Sequence, residues 1–359
     1  MILCGDIGAT KTQMGLYRYR DDTLELEHSS AFTSSAYAGL TGIIEAFLAQ
    51  APAERIEIAC FGVAGPVIQD RVEATNLPWQ ITGHKVAQEK GLARVVLIND
   101  LVAMAWGINA LGEASLASIH SGDATPVGND ASPLTLNHPS PLTLHSGDAT
   151  SWGNAALIAA GTGLGMALLL PGQGIRLPMP SEGGHMDFAP RNDEEISLLQ
   201  FLQGRFGRHV SIERVVSGMG LRNIYEYLVA ANFAAEDPAL RRELQCSEAP
   251  ARLISEAALA GRSRLCMKAL DMFVAAYGAA AGNLALVGMA VGGVYLGGGI
   301  APQILPKLTE GLFMEAFLDK GRFRSLLERI PVRVILKPET PMLGAAYHAA
   351  RILKSIAAA

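Results

Sequence analysis

The sequence predicts an α/β protein of two domains of related build that face each other across a cleft. Three observations point there. The first thirty residues read as three strands and then give way to alternating helix and strand, the pattern of a mixed sheet. A second strand-loop-strand unit opens after residue 154 and echoes the first. The chain has 359 residues, 50% of them hydrophobic, which is enough for two domains with sizeable cores.

In chain order, strands are expected at Ile2–Gly5, Thr12–Tyr17 and Thr23–His28, with Asp21 and Asp22 as turn residues. Leu40, Ile43, Ile44, Phe47 and Leu48 then fall at helical spacing. Strands return at Ile56–Val63 and Arg94–Ile98, and Leu101–Leu111 reads as a helix. The apolar runs Ala155–Ala160 and Met166–Leu170 flank Gly161, Thr162, Gly163 and Gly165, much as the first two strands flank Gly8, Ala9 and Thr10. Pro171 and Gly172 are expected to stop the second of these runs before a helix could form, which favours a hairpin over a dinucleotide-binding turn.

Two segments stand apart. Between 120 and 150 the hexapeptide His120-Ser-Gly-Asp-Ala-Thr125 recurs as His145-Ser-Gly-Asp-Ala-Thr150, and Pro133–Leu136 recurs at Pro141–Leu144. The Ser, Thr, Asp, Gly and Pro content of this local duplication suits a surface insertion. From Met272 to Pro306 there is no charged residue, a length that could cross a membrane. Asn283 and eight glycines, three of them consecutive at Gly297–Gly299, favour a buried helix followed by a glycine-rich strand.

Composition excludes several classes. A net charge of −5 and the lack of a Lys/Arg run leave nothing to neutralise a phosphate backbone, so nucleic acid is not an expected partner. Cys4, Cys60, Cys246 and Cys266 are far apart, with no metal-ligand spacing, and read as reduced packing residues. Met1 is followed by three apolar residues and then Gly5 and Asp6, without the regions of a signal peptide. A cytoplasmic protein without a membrane span is expected.

The chemistry-bearing residues lie in the loops. Gly5-Asp-Ile-Gly-Ala-Thr-Lys11 offers clustered backbone N–H groups, the Thr10 hydroxyl, the Lys11 cation and the Asp6 carboxylate, a set suited to phosphate oxygens and their Mg²⁺. It also fits a plain β-turn, and it is not a P-loop, because Gly-x-x-x-x-Gly-Lys-Ser/Thr is absent. Asn99 and Asp100 end an apolar strand at the edge where α/β sheets place functional side chains, although Asp100 also reads as a helix cap. Glu182-Gly-Gly-His185 is a compact polar turn that a polyhydroxylated ligand could approach, and Glu213 lies at the start of a predicted helix, where acids are favoured without any ligand. Gly297–Gly299 could bring backbone flat against an adenine ring.

Taken in order, Leu97-Ile-Asn-Asp100, Ala160-Gly-Thr-Gly-Leu-Gly165, Pro180-Ser-Glu-Gly-Gly-His-Met-Asp-Phe-Ala-Pro190, Glu213-Arg-Val-Val-Ser-Gly218 and Leu296-Gly-Gly-Gly-Ile300 resemble the bacterial glucokinases, in the hexokinase-like branch of the actin, heat-shock-70 and sugar-kinase superfamily. The resemblance covers nearly the whole chain outside 120–150. It implies a two-domain actin-like ATPase (ribonuclease H-like) fold, with a small domain of residues 1–112 plus 338–359 and a large one of 113–337. It implies an ATP-dependent transfer to the 6-hydroxyl of glucose, the opening step of glycolysis, by a homodimer. Asn99, Asp100, Glu182, His185 and Glu213 would hold the sugar, with Asp100 also accepting its proton. Gly8, Ala9 and Thr10 with Gly161, Thr162 and Gly163 would grip the ATP phosphates, Asp6 would sit near Mg²⁺, and Gly297, Gly298 and Gly299 near adenosine.

The chain departs from the family pattern at Ala9, where many members have Gly, and at Lys11, where many have Asn. The zinc-binding cysteine cluster of the related repressor, open-reading-frame and kinase family is absent, as is an N-terminal helix-turn-helix, and both favour the zinc-free group. A kinase of mannose or fructose and a sugar-sensing regulator without catalysis are the alternatives.

Overall fold

The fold, taken from a computed structural model, is described for residues 1–21, 23–51, 55–73, 77–111, 115–120, 153–172 and 174–357. The duplicated insertion, beyond the backbone of His120, lies outside the described residues. Among the described residues two large sheets and one small sheet form the frame.

The first sheet begins with β1 (Ile2–Ile7), β2 (Lys11–Arg20), β3 (Thr23–Thr33) and β4 (Ile58–Val63). A small antiparallel sheet of β5 (Val67–Ile68), β6 (Arg71–Glu73) and β7 (Gln80–Thr82) intervenes before β8 (Val95–Asn99) returns to the first. The order is β3-β2-β1-β4-β8, with β1, β2 and β3 antiparallel and β1, β4 and β8 parallel. The inner parallel strands are covered on both faces, which is why they read as unbroken apolar runs. Leu3 and Ile7 pack with Leu40, Ile43, Ile44 and Phe47 of helix Leu40–Leu48 on one face, while Ile2 and Cys4 join the core on the other. β2 and β3 outrun the expected strands because the ladder between them continues at both ends, Arg18–Arg20 pairing with Thr23–Glu25 and Ser29–Thr33 with Lys11–Gly15, and Arg18 Nε donates to Glu27 Oε1 at 2.6 Å.

The second sheet comprises β9 (Leu116–His120), β10 (Ala155–Ala160), β11 (Leu164–Gly172), β12 (Ile175–Ser181), β13 (Val294–Gly297) and β14 (Val332–Ile335). Its order is β12-β11-β10-β13-β14-β9. Apart from the added edge strand β9, this repeats the first sheet: an antiparallel meander of three strands, then two parallel ones. The echo between the two strand-loop-strand units is therefore a repeat of topology. Pro171 does not stop β11 as expected. Pairing with β10 ends at Leu169, so beyond it Pro171 faces no neighbour on that side and its missing N–H goes unused.

Helices Asp193–Phe206, Gly218–Ala230, Pro250–Leu259 and Arg264–Gly288 cover one face of the second sheet. Arg264–Gly288 is long and apolar enough to cross a membrane, but Leu270, Phe273, Tyr277, Ala281 and Ala285 lie in this core, and Tyr277 donates its hydroxyl hydrogen to Ile158 O. The expected buried helix and glycine-rich strand are both present. Cys4, Cys60 and Cys266 are buried packing residues, whereas Cys246, at the end of helix Pro238–Cys246, is exposed, because the amphipathic face there is anchored by Leu240 and Cys246 lies outside it.

Helices Asp100–Ile108 and Thr340–Ala357 share one core with inward residues of both sheets, among them Cys4, Cys60, Leu157 and Leu169. They approach backbone to backbone. A Cβ on Gly344 would stand 1.8 Å from Ala103 O, and one on Gly107 2.3 Å from Thr340 O. Helix Asp100–Ile108 follows β8 with no connecting loop, so the end of the strand fixes the position of the first helical residue, Asp100.

Candidate active site

The parallel strands of the first sheet end in register, Ile7 beside Val63 and Val63 beside Asn99, so Asp6, the Gly8–Thr10 loop and Asp100 gather at one edge. This is the carboxyl edge of an α/β sheet, where ligands bind. Asn99, and not Asp100, caps the helix. Its Oδ1 accepts from Leu101 N at 2.9 Å and Val102 N at 3.2 Å, and its Nδ2 donates to Gly65 O at 3.1 Å. The cap frees Asp100, the first helical residue, whose Oδ1 accepts from Leu101 N at 2.9 Å.

Burial pushes the Asp100 carboxyl up, opposed by backbone N–H groups and Asn99, with the charge of Glu182 adding to the rise. That last influence crosses between the sheets and puts Glu182 within electrostatic range of Asp100. Burial also pushes Asp6 up, to about 7, with the Asp100 charge adding to it and Lys11 opposing. The two carboxylates of the first sheet thus sense each other at one edge.

The second sheet supplies the opposite wall. Its hairpin loop, Gly161–Gly163, closes with Gly161 N donating to Gly163 O at 2.9 Å, and Gly161 O accepts from Gly218 N at 2.8 Å. Glu213 belongs to a single helical turn, Ile212–Arg214, shorter than the helix expected there, because Ser217 caps a new helix from Gly218. Its Oε2 accepts from Leu164 N at 2.9 Å and lies 2.5 Å from where a Cβ on Gly163 would be. Glu182 and His185 stand on the solvent side, with side chains 75% and 61% exposed and Oε2 3.9 Å from Nε2. Gly297 ends β13, and Gly298, at φ 81°, presses against Ala160 beside the hairpin loop.

The structure therefore groups the predicted residues on two walls. Asp6, Gly8, Ala9, Thr10, Asn99 and Asp100 are on the first, and Gly161–Gly163, Glu182, His185, Glu213 and Gly297–Gly299 on the second. Leu101 joins them, its Cδ1 lying 2.9 Å from where a Cβ on Gly165 would be. Sequence reasoning missed Ser34, Thr12 and Gly65, which support the first wall from behind. Ser34 stands in a Thr-Ser-Ser run that looks like any polar turn, and Gly65 in a Gly-Pro pair that signals a bend without signalling what it holds.

A family model described as Glucokinase matches residues 3–352. The glucokinase of Nostoc punctiforme is 38% identical over 364 residues, covering 98% of this chain and 99% of that one. The Synechocystis glucokinase is 38% identical, covering 97% and 98%. Among solved structures, a glucokinase from an Antarctic psychrotroph superposes with a TM-score of 0.77 at 28% identity, covering 98% of both chains. A glucokinase of the repressor, open-reading-frame and kinase family from Streptomyces griseus, in complex with glucose and AMPPNP, shares the fold with a TM-score of 0.62 at 20% identity, covering 98% and 99%.

Proposed function

The chain belongs to the glucokinase family, and from that premise we propose how its cleft carries out the ATP-dependent phosphorylation of glucose. The fold is the two-domain actin-like ATPase (ribonuclease H-like) fold expected from the sequence. The observation that carries the proposal is Asp100: released from capping by Asn99, anchored to Leu101 N, and held at the carboxyl edge of the first sheet beside Asp6.

Glucose lies between the walls, its hydroxyls held by Asn99, Asp100, Glu182, His185 and Glu213. Asp100 accepts the proton of the 6-hydroxyl as the oxygen attacks the γ-phosphorus in line. The bond to the β–γ bridging oxygen breaks, and ADP leaves with the electron pair. Catalysis of this kind is positioning and charge neutralisation, with a carboxylate orienting the nucleophile. The Gly8–Thr10 and Gly161–Gly163 loops receive the phosphates, with the N–H groups of Ala9 and Thr10 as donors in the first, while Gly8 N and Gly161 N are engaged within their own loops; Gly297–Gly299 lets adenosine approach closely.

Two carboxylates, Asp6 and Asp100, repel each other at one edge, and hard oxygen donors in that setting fit Mg²⁺. Asp6 would hold it, and the ion would neutralise phosphate charge. Closure of residues 1–112 plus 338–359 onto 113–337 would exclude water and suppress ATP hydrolysis. We also assign a homodimer in the cytoplasm, on the family resemblance, and light scattering of the eluted protein tests the dimer.

A coupled assay of ADP release across glucose, mannose and fructose tests the reaction. Release that depends on glucose, with the highest kcat/KM for it, is expected. A protein that binds glucose and releases no ADP would be a sensor instead.

A further inference from the structure

We propose that Ser34 is a positioning residue for phosphoryl transfer, one that shapes the Gly8–Thr10 loop from behind; the inference rests on the reading above that this loop receives the ATP phosphates. Ser34 is fully buried at the end of β3, in a one-turn helix Ser34–Ala36. The pairing of Lys11 with Thr33 brings it against the back of the loop. From there it makes two bonds to loop carbonyls. Its Oγ donates to Gly8 O at 2.7 Å, and its N donates to Thr10 O at 3.0 Å.

A third contact completes the set. Thr12 Oγ1, also fully buried, lies 3.0 Å from Ser34 Oγ. A serine hydroxyl has one hydrogen, and that of Ser34 goes to Gly8 O, so Thr12 is the donor in this pair. Two fully buried hydroxyls, Thr12 standing between its strand partners Ile7 and Phe32, would be costly without such partners, and here each is satisfied.

The bonds sort the loop's polar groups by direction. The carbonyls of Gly8 and Thr10 are drawn rearward into the Ser34 pair, and Gly8 N is turned back to Lys11 O at 3.1 Å. The N–H groups of Ala9 and Thr10 find no acceptor among the described residues. Successive free N–H groups with their carbonyls turned away form an anion-binding concavity. Ser34 sets this arrangement without touching the cleft, and it sits 26 residues from the carbonyl it holds.

The test is calorimetric titration of Mg²⁺ and a non-hydrolysable ATP analogue into wild type, Ser34→Ala and Ser34→Thr, each saturated with glucose. Ser34→Ala keeps the backbone bond to Thr10 and loses the one to Gly8. Its nucleotide affinity should fall about tenfold, the scale of one well-placed hydrogen bond, and Ser34→Thr should recover most of it. Glucose affinity should stay within about twofold, as Ser34 bonds to none of the residues assigned to the sugar. Unchanged nucleotide affinity in a folded Ser34→Ala overturns the proposal. So does an equal loss of glucose and nucleotide binding, which marks general loosening. Should Ser34→Ala fail to fold, amide exchange of wild type decides: nucleotide must protect Ala9 and Thr10, and no protection overturns the proposal. Wild type that binds glucose but no nucleotide overturns the kinase reading too, whereas wild type that binds both while Ser34→Ala binds equally well overturns this inference alone.

Discussion

The carboxylate of Glu213 accepts a hydrogen bond from the backbone N–H of Leu164 at 2.9 Å, joining a residue assigned to the sugar with the hairpin loop assigned to the phosphates. Leu164 O is also close to the sugar-side turn, since a Cβ on Gly184 would stand 1.9 Å from it. Leu164, the residue that follows the loop, therefore feels both the Glu213 turn and the Glu182–His185 turn. Substrate sites that share a backbone anchor are coupled sites, and the coupling has measurable consequences.

Removing the Glu213 carboxylate should disturb both substrates. Glu213→Ala loses a sugar contact and releases Leu164 N, so the Michaelis constants for glucose and for ATP should each rise by about tenfold. Glu182→Gln, whose carboxylate has no bond to the hairpin loop, should raise that for glucose alone. Steady-state kinetics with each substrate varied separately resolves the two patterns. A rise confined to glucose in Glu213→Ala would mean that the Leu164 bond transmits nothing.

Asp100→Asn should separate catalysis from folding. Asn99 caps the helix, and an asparagine at 100 can still accept from Leu101 N, so the melting temperature should hold within about 2 °C. Turnover should drop by roughly 100-fold or more, the scale of a lost proton acceptor. Glucose affinity should change little. Turnover near that of wild type would remove Asp100 from the role.

The central strands were legible because burial on both faces leaves an unbroken apolar run, as in Ile58–Val63. Strand ends were not: Arg18–Arg20 and Ser29–Thr33 belong to strands only because β2 and β3 keep pairing beyond the expected runs. The strands of the small sheet are too short for any period to show. Helix Gly83–Lys90 was hidden for a different reason, because Val86 and Gly83 are its buried positions and the rest is polar. At the site, loop chemistry was readable from residue types. What holds the loops was not, since Ser34 reaches back 26 residues and Glu213 reaches 49, distances at which sequence spacing carries no information.

His348 should make stability depend on pH. Its ring stacks on Trp106 with centroids 4.8 Å apart, and its Nδ1 is buried without a hydrogen-bond partner among the described residues. Burial, with Arg351 and Arg94 adding to it, pushes the imidazole down to about 4. An unfolded histidine titrates near 6.5. Between those values the unfolded chain holds the proton and the folded chain does not, so stability from this group falls as pH drops from about 6.5 to about 4 and is fully present above 6.5. The full span is about 3 kcal/mol at most, because a tenfold change in proton affinity between the folded and unfolded chains corresponds to about 1.4 kcal/mol. His348→Phe preserves a ring against Trp106 and should flatten the difference in melting temperature between pH 7 and pH 5. An identical pH profile for the variant would show that other groups govern acid sensitivity.

Two helical glycines should respond to the same substitution with opposite sign. In helix Asp193–Phe206, a Cβ on Gly204 meets nothing within 4 Å, so Gly204→Ala should stabilise the protein by about 0.5–1 kcal/mol through the lower conformational entropy of the unfolded chain. In helix Thr340–Ala357, a Cβ on Gly344 falls 1.8 Å from Ala103 O and 2.4 Å from Gly107 N. Both of those atoms are backbone and cannot swing aside. Gly344→Ala must push helix Asp100–Ile108 away, and overpacking of this kind costs about 1–3 kcal/mol. The displaced helix also carries Asp100 at its first residue, so turnover should fall together with stability. Denaturant unfolding of the two variants beside wild type gives the signs directly, and initial rates at saturating glucose and ATP give the second readout. A neutral Gly344→Ala with normal turnover would mean that the two helices do not meet at this contact, and that Asp100 is positioned by β8 alone.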